Sequence, residues 1–325
     1  MFLPRTHCDG LLSDTELNDF QRRCFNAPLQ TQELEGVKDV VKQNTEDGLR
    51  NGYLTQDGFL YLHKLFVQRG RLETTWAVLR KFGYGDDLQL SQDFLSPKIE
   101  IRADETVELG SSSIHFLTQL FRSFDKDRDS ALSSEELTAL FSAVPPSLIK
   151  DMEFTAGVAS NNQGWVTLEG FLAAWVLFTL EHPVNALGSF ACLGYPDDDI
   201  TSAVKVTRSK KIDFKKQRTT RTVFMAYVVG AKGSGKSTLL NMLLGKPQSP
   251  SAPLNSTSGN GETVAVNGVS VNGAEKYLVL REFAANGSDV DMIRNQQALE
   301  NKCDVVVFLY DASDPNSFEY VVNLQ

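Results

Sequence analysis

A chain of 325 residues has room for two or three domains, each with its own core. Its 42% apolar and 22% charged content is that of an ordinary soluble globular protein. A net charge of −9 argues against a nucleic-acid binder, which needs a basic face, and suits cation binding through clustered carboxylates.

Cys8, Cys24, Cys192 and Cys303 lie far apart with no C-x-x-C pair, which reads as reduced thiols rather than a disulfide frame or zinc site. The four histidines are scattered and read as structural. The longest apolar run, FLAAWVLFTL at 171–180, is too short to cross a bilayer, and no secretory leader opens the chain.

In chain order, CDGLLSDTEL comes first. Asp9, Gly10, Leu12, Ser13 and Glu16 are spaced like the back half of an EF-hand calcium loop. Arg5 and His7, however, stand where the first two ligands belong, and only four residues precede the loop. Arg5 brings a positive charge and His7 a nitrogen where calcium takes oxygen, so this site is expected to be inactive. MFLPRTH is read as a foreign start joined to a truncated loop. Next, GYLTQDGFLYLHKLF (52–66) predicts a short strand at Tyr53-Leu54 and a helix capped by Thr55. The preceding NTEDGLRNG lacks spaced carboxylates, as a ligand-free EF-hand would.

Both pieces recur in the same order. DGLLSDTEL (9–17) returns as DSALSSEEL (129–137), and GYLTQDGF (52–59) as GWVTLEGF (164–171). The second copy keeps what the first lacks. FRSFDKDRDSALSSEELTALF puts Asp125, Asp127, Asp129, Ser133 and Glu136 at loop positions 1, 3, 5, 9 and 12, with the Ala131 carbonyl at position 7. Six to eight oxygens of this kind hold calcium, with magnesium as the alternative ion. Ser130 occupies position 6, where glycine usually makes the sharp turn, which adds strain without removing a ligand. Leu132 is expected to pin the loop to its partner through a β-contact. Ile114, Leu117, Leu120, Phe121 and Phe124 mark an entering helix. The partner, VASNNQGWVTLEGF, again has a threonine N-cap at Thr167 and no carboxylates, with weak metal binding by Asn161 or Asn162 as the alternative.

Residues 200–221 carry eight Lys or Arg and read as a solvated basic linker, with a membrane or acidic-partner patch as the second reading. Then TVFMAYVVGAKGSGKSTLLNMLLG runs a strand into G-x-x-x-x-G-K-S and a helix, the context of a phosphate-binding P-loop. Backbone N–H groups around Gly230, Gly233, Ser234 and Gly235 would close on phosphates, Lys236 would reach the β- and γ-phosphates, and Ser237 would hold magnesium beside Thr238. SPSAPLNSTSGNG (249–261) reads as a mobile loop. Two strands turning at Asn272-Gly273, a helix near 289–301, a strand in 304–313 and a helix from DPNSFEY complete the order. Where a D-x-x-G element should end the third strand stands Glu282, with Ala285 in place of the glycine. No base-reading segment is visible, so GTP and ATP both stay open, and no catalytic residue is assigned.

The expected fold is multidomain: all-α paired EF-hands followed by an incomplete α/β P-loop GTPase domain. The boundaries are a first EF-hand unit at 1–70, a helical connector at 71–110, a second unit at 111–193, a basic linker at 194–221 and the P-loop domain at 222–325.

With these parts in place the chain resembles the mitochondrial Rho GTPases, the Miro family, over nearly its whole length. RGRLETTWAVLRKFGYGDDLQL (69–90) is similar to that family's connector, and CDVVVFLYDASDPNSFEYV (303–321) to its second GTPase. The resemblance implies GTP hydrolysis, calcium sensing, and residence on the cytosolic face of the mitochondrial outer membrane through an anchor not in this chain. It also implies motor-adaptor or organelle-contact partners that govern mitochondrial distribution or inheritance. Calcium ligation maps to Asp125, Asp127, Asp129 and Glu136, and phosphate and magnesium binding to Lys236, Ser237 and Thr238. Two further readings remain: an interaction scaffold that binds nucleotide but hydrolyses it weakly, and an ATPase of another P-loop class.

Overall fold

The computed structural model describes residues 10–150, 152, 157–246, 263–283 and 303–324. The first repeat unit begins with β1 (Leu11–Leu12), α1 (Asp14–Phe25) and α2 (Thr31–Asn44), followed by β2 (Leu49–Arg50), β3 (Tyr53–Thr55) and α3 (Gln56–Gln68). Strand β3 pairs with β1 through Leu12↔Leu54 and with β2 through Leu49↔Leu54. Ser13 and Glu16 start α1 with a capping box, and Thr55 caps α3 by accepting from the Gly58 N–H. Leu17, Phe20, Val41, Leu54, Phe59 and Leu62 form this unit's core, closed by Val78 and Phe82 from α4 (Leu72–Lys81) and its end.

After α4 the chain is not helical as a connector was expected to be. A Tyr84–Leu90 bridge leads to the short α5 (Gln92–Leu95) and then to extended chain ending in β4 (Val107–Leu109). Gly83 sits at φ +83, a turn that glycine takes without strain.

The second unit runs through α6 (Ser111–Phe124), β5 (Ala131–Leu132), α7 (Ser134–Phe141), α8 (Pro146–Ile149), β6 (Val166–Thr167), α9 (Leu168–Glu181) and α10 (Pro183–Leu193). Its inter-loop contact, Leu132↔Val166, repeats Leu12↔Leu54. The glycine common to the two repeats has a packing reason. A Cβ at Gly58 would lie 2.1 Å from the Gly48 carbonyl, and one at Gly170 2.0 Å from the Ala159 carbonyl. Each glycine thus lets its helix press against its own loop.

Helix α9 carries the apolar run FLAAWVLFTL. It is hydrophobic nearly all round because it is covered on several sides, by α6, by α10 and by the sheet described below. Among the described residues no helix is long and apolar enough to cross a membrane.

Residues 194–221 are packed, contrary to the expectation of a solvated linker. A 3-10 turn (Ile200–Ala203) leads into β7 (Val204–Val206), which pairs antiparallel with β4, and then into α11 (Lys210–Lys216). Two of its basic residues, Arg221 and Lys210, pair with an acid far away in sequence, Asp304. That separation is why a local reading of charge took the segment for free chain.

The last part is a four-stranded sheet in the order β11–β8–β10–β9, made of β8 (Val223–Val229), β9 (Thr263–Val271), β10 (Ala274–Glu282) and β11 (Val305–Phe308). Strand β8 is parallel to β10 and β11, and β9 is antiparallel to β10 across the Asn272-Gly273 turn. Asn272 (φ 52) and Gly273 (φ 75) both take the left-handed conformation this tight hairpin requires. Helix α12 (Lys236–Leu243) covers one face, and α13 (Pro315–Leu324) follows β11. On the other face Val266, Val279 and Phe283 join a single core with Trp175 and Phe178 of α9. The 249–261 loop and the helix near 289–301 lie outside the described residues.

Candidate nucleotide and calcium sites

Strand β8 ends at Val229 and the chain turns at once. Gly230 is required there, since a Cβ would stand 2.2 Å from the Leu309 carbonyl oxygen and 2.7 Å from Ser234 Oγ. Gly233 and Gly235 sit at φ +87 and +92, conformations that L side chains resist. Gly235 is the N-cap of α12 and gives no side-chain cap, so the first N–H groups of the helix keep their capacity to donate to an anion.

Lys236, 6% exposed, folds back across this loop. Its Nζ donates to the carbonyls of Gly230 at 3.1 Å and Ala231 at 3.0 Å. Ser234 Oγ is buried without a hydrogen-bond partner, a second polar group for a ligand to satisfy. Ser237 Oγ donates to Glu282 Oε2 at 2.8 Å, and Glu282 Oε1 lies 3.9 Å from Lys236 Nζ. Thr238 is exposed on the first turn of α12. Glu282, which sequence left in doubt, thus stands at the end of β10 against the hydroxyl expected to hold magnesium. Its position follows from the register Glu282↔Val228, which brings the two strand ends level. A seryl hydroxyl backed by a carboxylate suits magnesium, a hard cation that takes few protein oxygens.

The candidate calcium loop joins α6 to α7. Single carboxylate oxygens of Asp125, Asp127 and Glu136 lie within 4.8 Å of one another. Asp125 Oδ1 is buried with no partner, while Oδ2 accepts from the Ser130 N–H at 3.2 Å. Burial, aided by the nearby Asp129 and Asp127, raises the Asp125 pKa above its ordinary value against the pull of backbone N–H groups. An unpaired buried oxygen facing other carboxylates fits a divalent cation. Glu136 Oε1 accepts from the Lys126 N–H at 2.8 Å, which ties the last ligand position to the first turn of the loop. Burial opposes ionisation of Glu136, but bonds from Lys126 and Ser133 outweigh it and hold the carboxyl below its ordinary value.

Asp129 is not drawn into the group. Its Oδ1 accepts from the Ala131 N–H at 2.8 Å, and Ser133 Oγ belongs to the capping box with Glu136. Ala131 lies in β5, where it pairs with Thr167. Ser130 at φ 69 and Arg128 at φ 61 make the turn that glycine would make more cheaply. In the partner loop Asn161 Oδ1 accepts from the Gln163 and Trp165 N–H groups, each at 3.0 Å, so it stabilises its own turn. Arg5, His7 and Asp9 lie outside the described residues.

Comparison with known proteins fits this architecture. Residues 27–113 and 150–218 each match a family profile described as "EF hand associated", and residues 225–324 match one described as "50S ribosome-binding GTPase". Curated proteins named Mitochondrial Rho GTPase 1 align over nearly the whole chain. That of Arabidopsis thaliana is 41% identical over 97% of this chain, and that of Caenorhabditis elegans 41% over 96%. That of Cryptococcus neoformans var. neoformans is 38% identical over 98%. The chain is similar to the mitochondrial Rho GTPases over nearly its whole length. It spans about half the length of these relatives: 48%, 50% and 52% respectively. In this chain, EF-hand-associated regions thus precede a GTPase domain.

Two groups in this fold escaped sequence reasoning. Glu108 on β4, 2% exposed, accepts from the N–H groups of Thr222 and Val223 and from Thr222 Oγ1. Asp304 receives both guanidinium nitrogens of Arg221 at 2.6 and 2.9 Å, the Lys210 ammonium and the Met225 N–H. Together they seal the joint between the GTPase sheet and the segments packed on it, β4 and 194–221. Asp304 opens the strand expected in 304–313, and nothing in the sequence marked Glu108.

Proposed function

We propose that this protein is a calcium-binding GTPase of the mitochondrial outer membrane. It would control mitochondrial distribution, morphology or inheritance through nucleotide- and calcium-dependent binding of protein partners. The observation that carries the reading is the Ser237–Glu282 hydrogen bond beside Lys236, at the mouth of a glycine-bounded turn. The backbone N–H groups of Gly233, Ser234 and Gly235 and the Lys236 ammonium bind the phosphates of GTP. Ser237, with Thr238 next to it, holds magnesium, and Glu282 orients the Ser237 hydroxyl. Bound magnesium would neutralise charge on the terminal phosphates.

Calcium takes Asp125, Asp127, Asp129 and Glu136, with the Ala131 carbonyl as a further ligand and Ser133 at the ninth position. The organisation proposed with this reading is two EF-hand units at 1–70 and 111–193, joined through 71–110. Segment 194–221 leads from them to the P-loop domain at 222–325. The core shared by α9 and the sheet supports communication between the second unit and the nucleotide domain.

The second reading is a scaffold that binds nucleotide but turns it over weakly, and Ala285 in place of the D-x-x-G glycine favours it. Steady-state hydrolysis of GTP and of ATP, measured with Glu282→Gln alongside, separates these readings. A GTP-selective turnover lowered at least tenfold in the variant supports the GTPase. Tight GTP binding without turnover supports the scaffold, and ATP selectivity rejects both.

A further inference from the structure

Helix α11 is amphipathic in the wrong sense for a surface helix. Its buried side is charged: Asp213 is held by Arg208 at 2.8 Å, and Lys210 reaches Asp304 at 3.0 Å and the Cys303 carbonyl at 3.2 Å. Its outer side carries the apolar residues. Phe214 is 78% exposed, more than any other large hydrophobic among the described residues, and Ile212 is 41% exposed. A helix that only had to cover a core would turn these two inward.

Around them stand Lys211, Lys215, Lys216 and Arg218, all exposed. None of the four forms an ion pair among the described residues, although the field of Lys211 reaches Asp104. Gln217, in the left-handed conformation at φ 48, stops the helix between Lys216 and Arg218. The knob is rigidly mounted. The Lys210 N–H donates to the Asp104 carbonyl at 3.1 Å, Ser209 bonds the Asp104 carboxylate, and β7 just before it pairs with β4.

We propose that α11 docks on the surface of an anionic lipid bilayer. Phe214 and Ile212 enter the interface, and Lys211, Lys215, Lys216 and Arg218 face the lipid phosphates. A ring that stands out from a convex surface needs a partner that accepts it anywhere, as a bilayer interface does; a protein partner would have to supply a matching recess. In a chain of net charge −9, a local cluster of unpaired cations also orients the molecule toward a negative surface. This contact would be made by the chain itself, apart from any anchor elsewhere. Because Lys210 and Arg221 tie the segment to Asp304, docking would also fix how the GTPase sheet faces the membrane.

Co-sedimentation of the chain with vesicles tests this, using phosphatidylcholine alone and phosphatidylcholine mixed with phosphatidylserine. Binding is expected only to the mixed vesicles and should fall as salt rises. Phe214→Ser should weaken it about tenfold, and Lys211→Gln, Lys215→Gln and Lys216→Gln about fivefold each. A Phe214→Trp variant should show blue-shifted emission, relative to the unmodified chain, on mixed vesicles only. Equal binding to neutral vesicles, or unchanged binding in the Phe214 and lysine variants, overturns the proposal. So does emission from the Phe214→Trp variant that stays fixed on vesicles yet shifts with an acidic peptide such as polyglutamate, which would assign the knob to a protein partner.

Discussion

Glu108 offers a sharp test of how β4 is joined to the GTPase sheet. Its carboxylate is 2% exposed and accepts from Thr222 N at 2.9 Å, Val223 N at 3.1 Å and Thr222 Oγ1 at 2.7 Å. Glu108→Ala leaves two backbone donors without a partner, that of Val223 buried and that of Thr222 part-buried. The Thr222 hydroxyl can rotate away, because its residue is only half-buried. At about 1–3 kcal/mol for each unsatisfied donor, the substitution should cost roughly 2–6 kcal/mol. Glu108→Gln keeps one acceptor oxygen but turns an NH2 toward the remaining donors, so it should cost about 1–2 kcal/mol. Urea unfolding followed by circular dichroism reads both, in the transition that reports the core shared by α9 and the sheet. If Glu108→Ala falls within about 0.5 kcal/mol of the parent, or Glu108→Gln proves worse than Glu108→Ala, the accounting of donors at this joint is wrong.

Other outcomes follow from the same geometry. Calcium at a hundredfold excess over its dissociation constant should stabilise the protein by about 2.7 kcal/mol, and Glu136→Gln should weaken calcium binding at least about tenfold, both readable as melting-temperature shifts. Burial opposes ionisation of Asp304, but Arg221, Met225 and Lys210 outweigh it and hold its pKa below the ordinary 3.8. Its contribution is therefore fully present above pH 3.8 and is lost as pH falls through the lower folded-state value. Acid unfolding of Asp304→Asn should lack that component. Burial pushes the Cys24 and Cys192 thiols up to about 11, so both should react with iodoacetamide far more slowly at pH 7.5 than after denaturation.

Much of this architecture was legible from residue patterns because it is set locally. The Thr55 and Thr167 caps, the Leu12–Leu54 and Leu132–Val166 contacts, the Asn272-Gly273 hairpin and the strand-to-P-loop turn each follow from a few adjacent residues. What was not legible depends on partners distant in sequence. The basic stretch 200–221 looked like solvated chain because Asp104 and Asp304, the acids that anchor it, lie about a hundred residues away. Glu282 looked like a departure from a motif, since only the β8–β10 register shows that it meets Ser237. Residues 5–9 of the first loop and the helix expected near 289–301 fall outside the described residues, so Arg5 and His7 stand as sequence expectations.

The central claim is that the turn after β8 holds a magnesium nucleoside triphosphate through Lys236 and Ser237. Isothermal titration of GTP into the chain, with magnesium present and with it chelated, tests this most directly. The account predicts one saturable site that weakens when magnesium is removed and weakens at least about tenfold in Lys236→Ala. Undiminished GTP affinity in Lys236→Ala would contradict it.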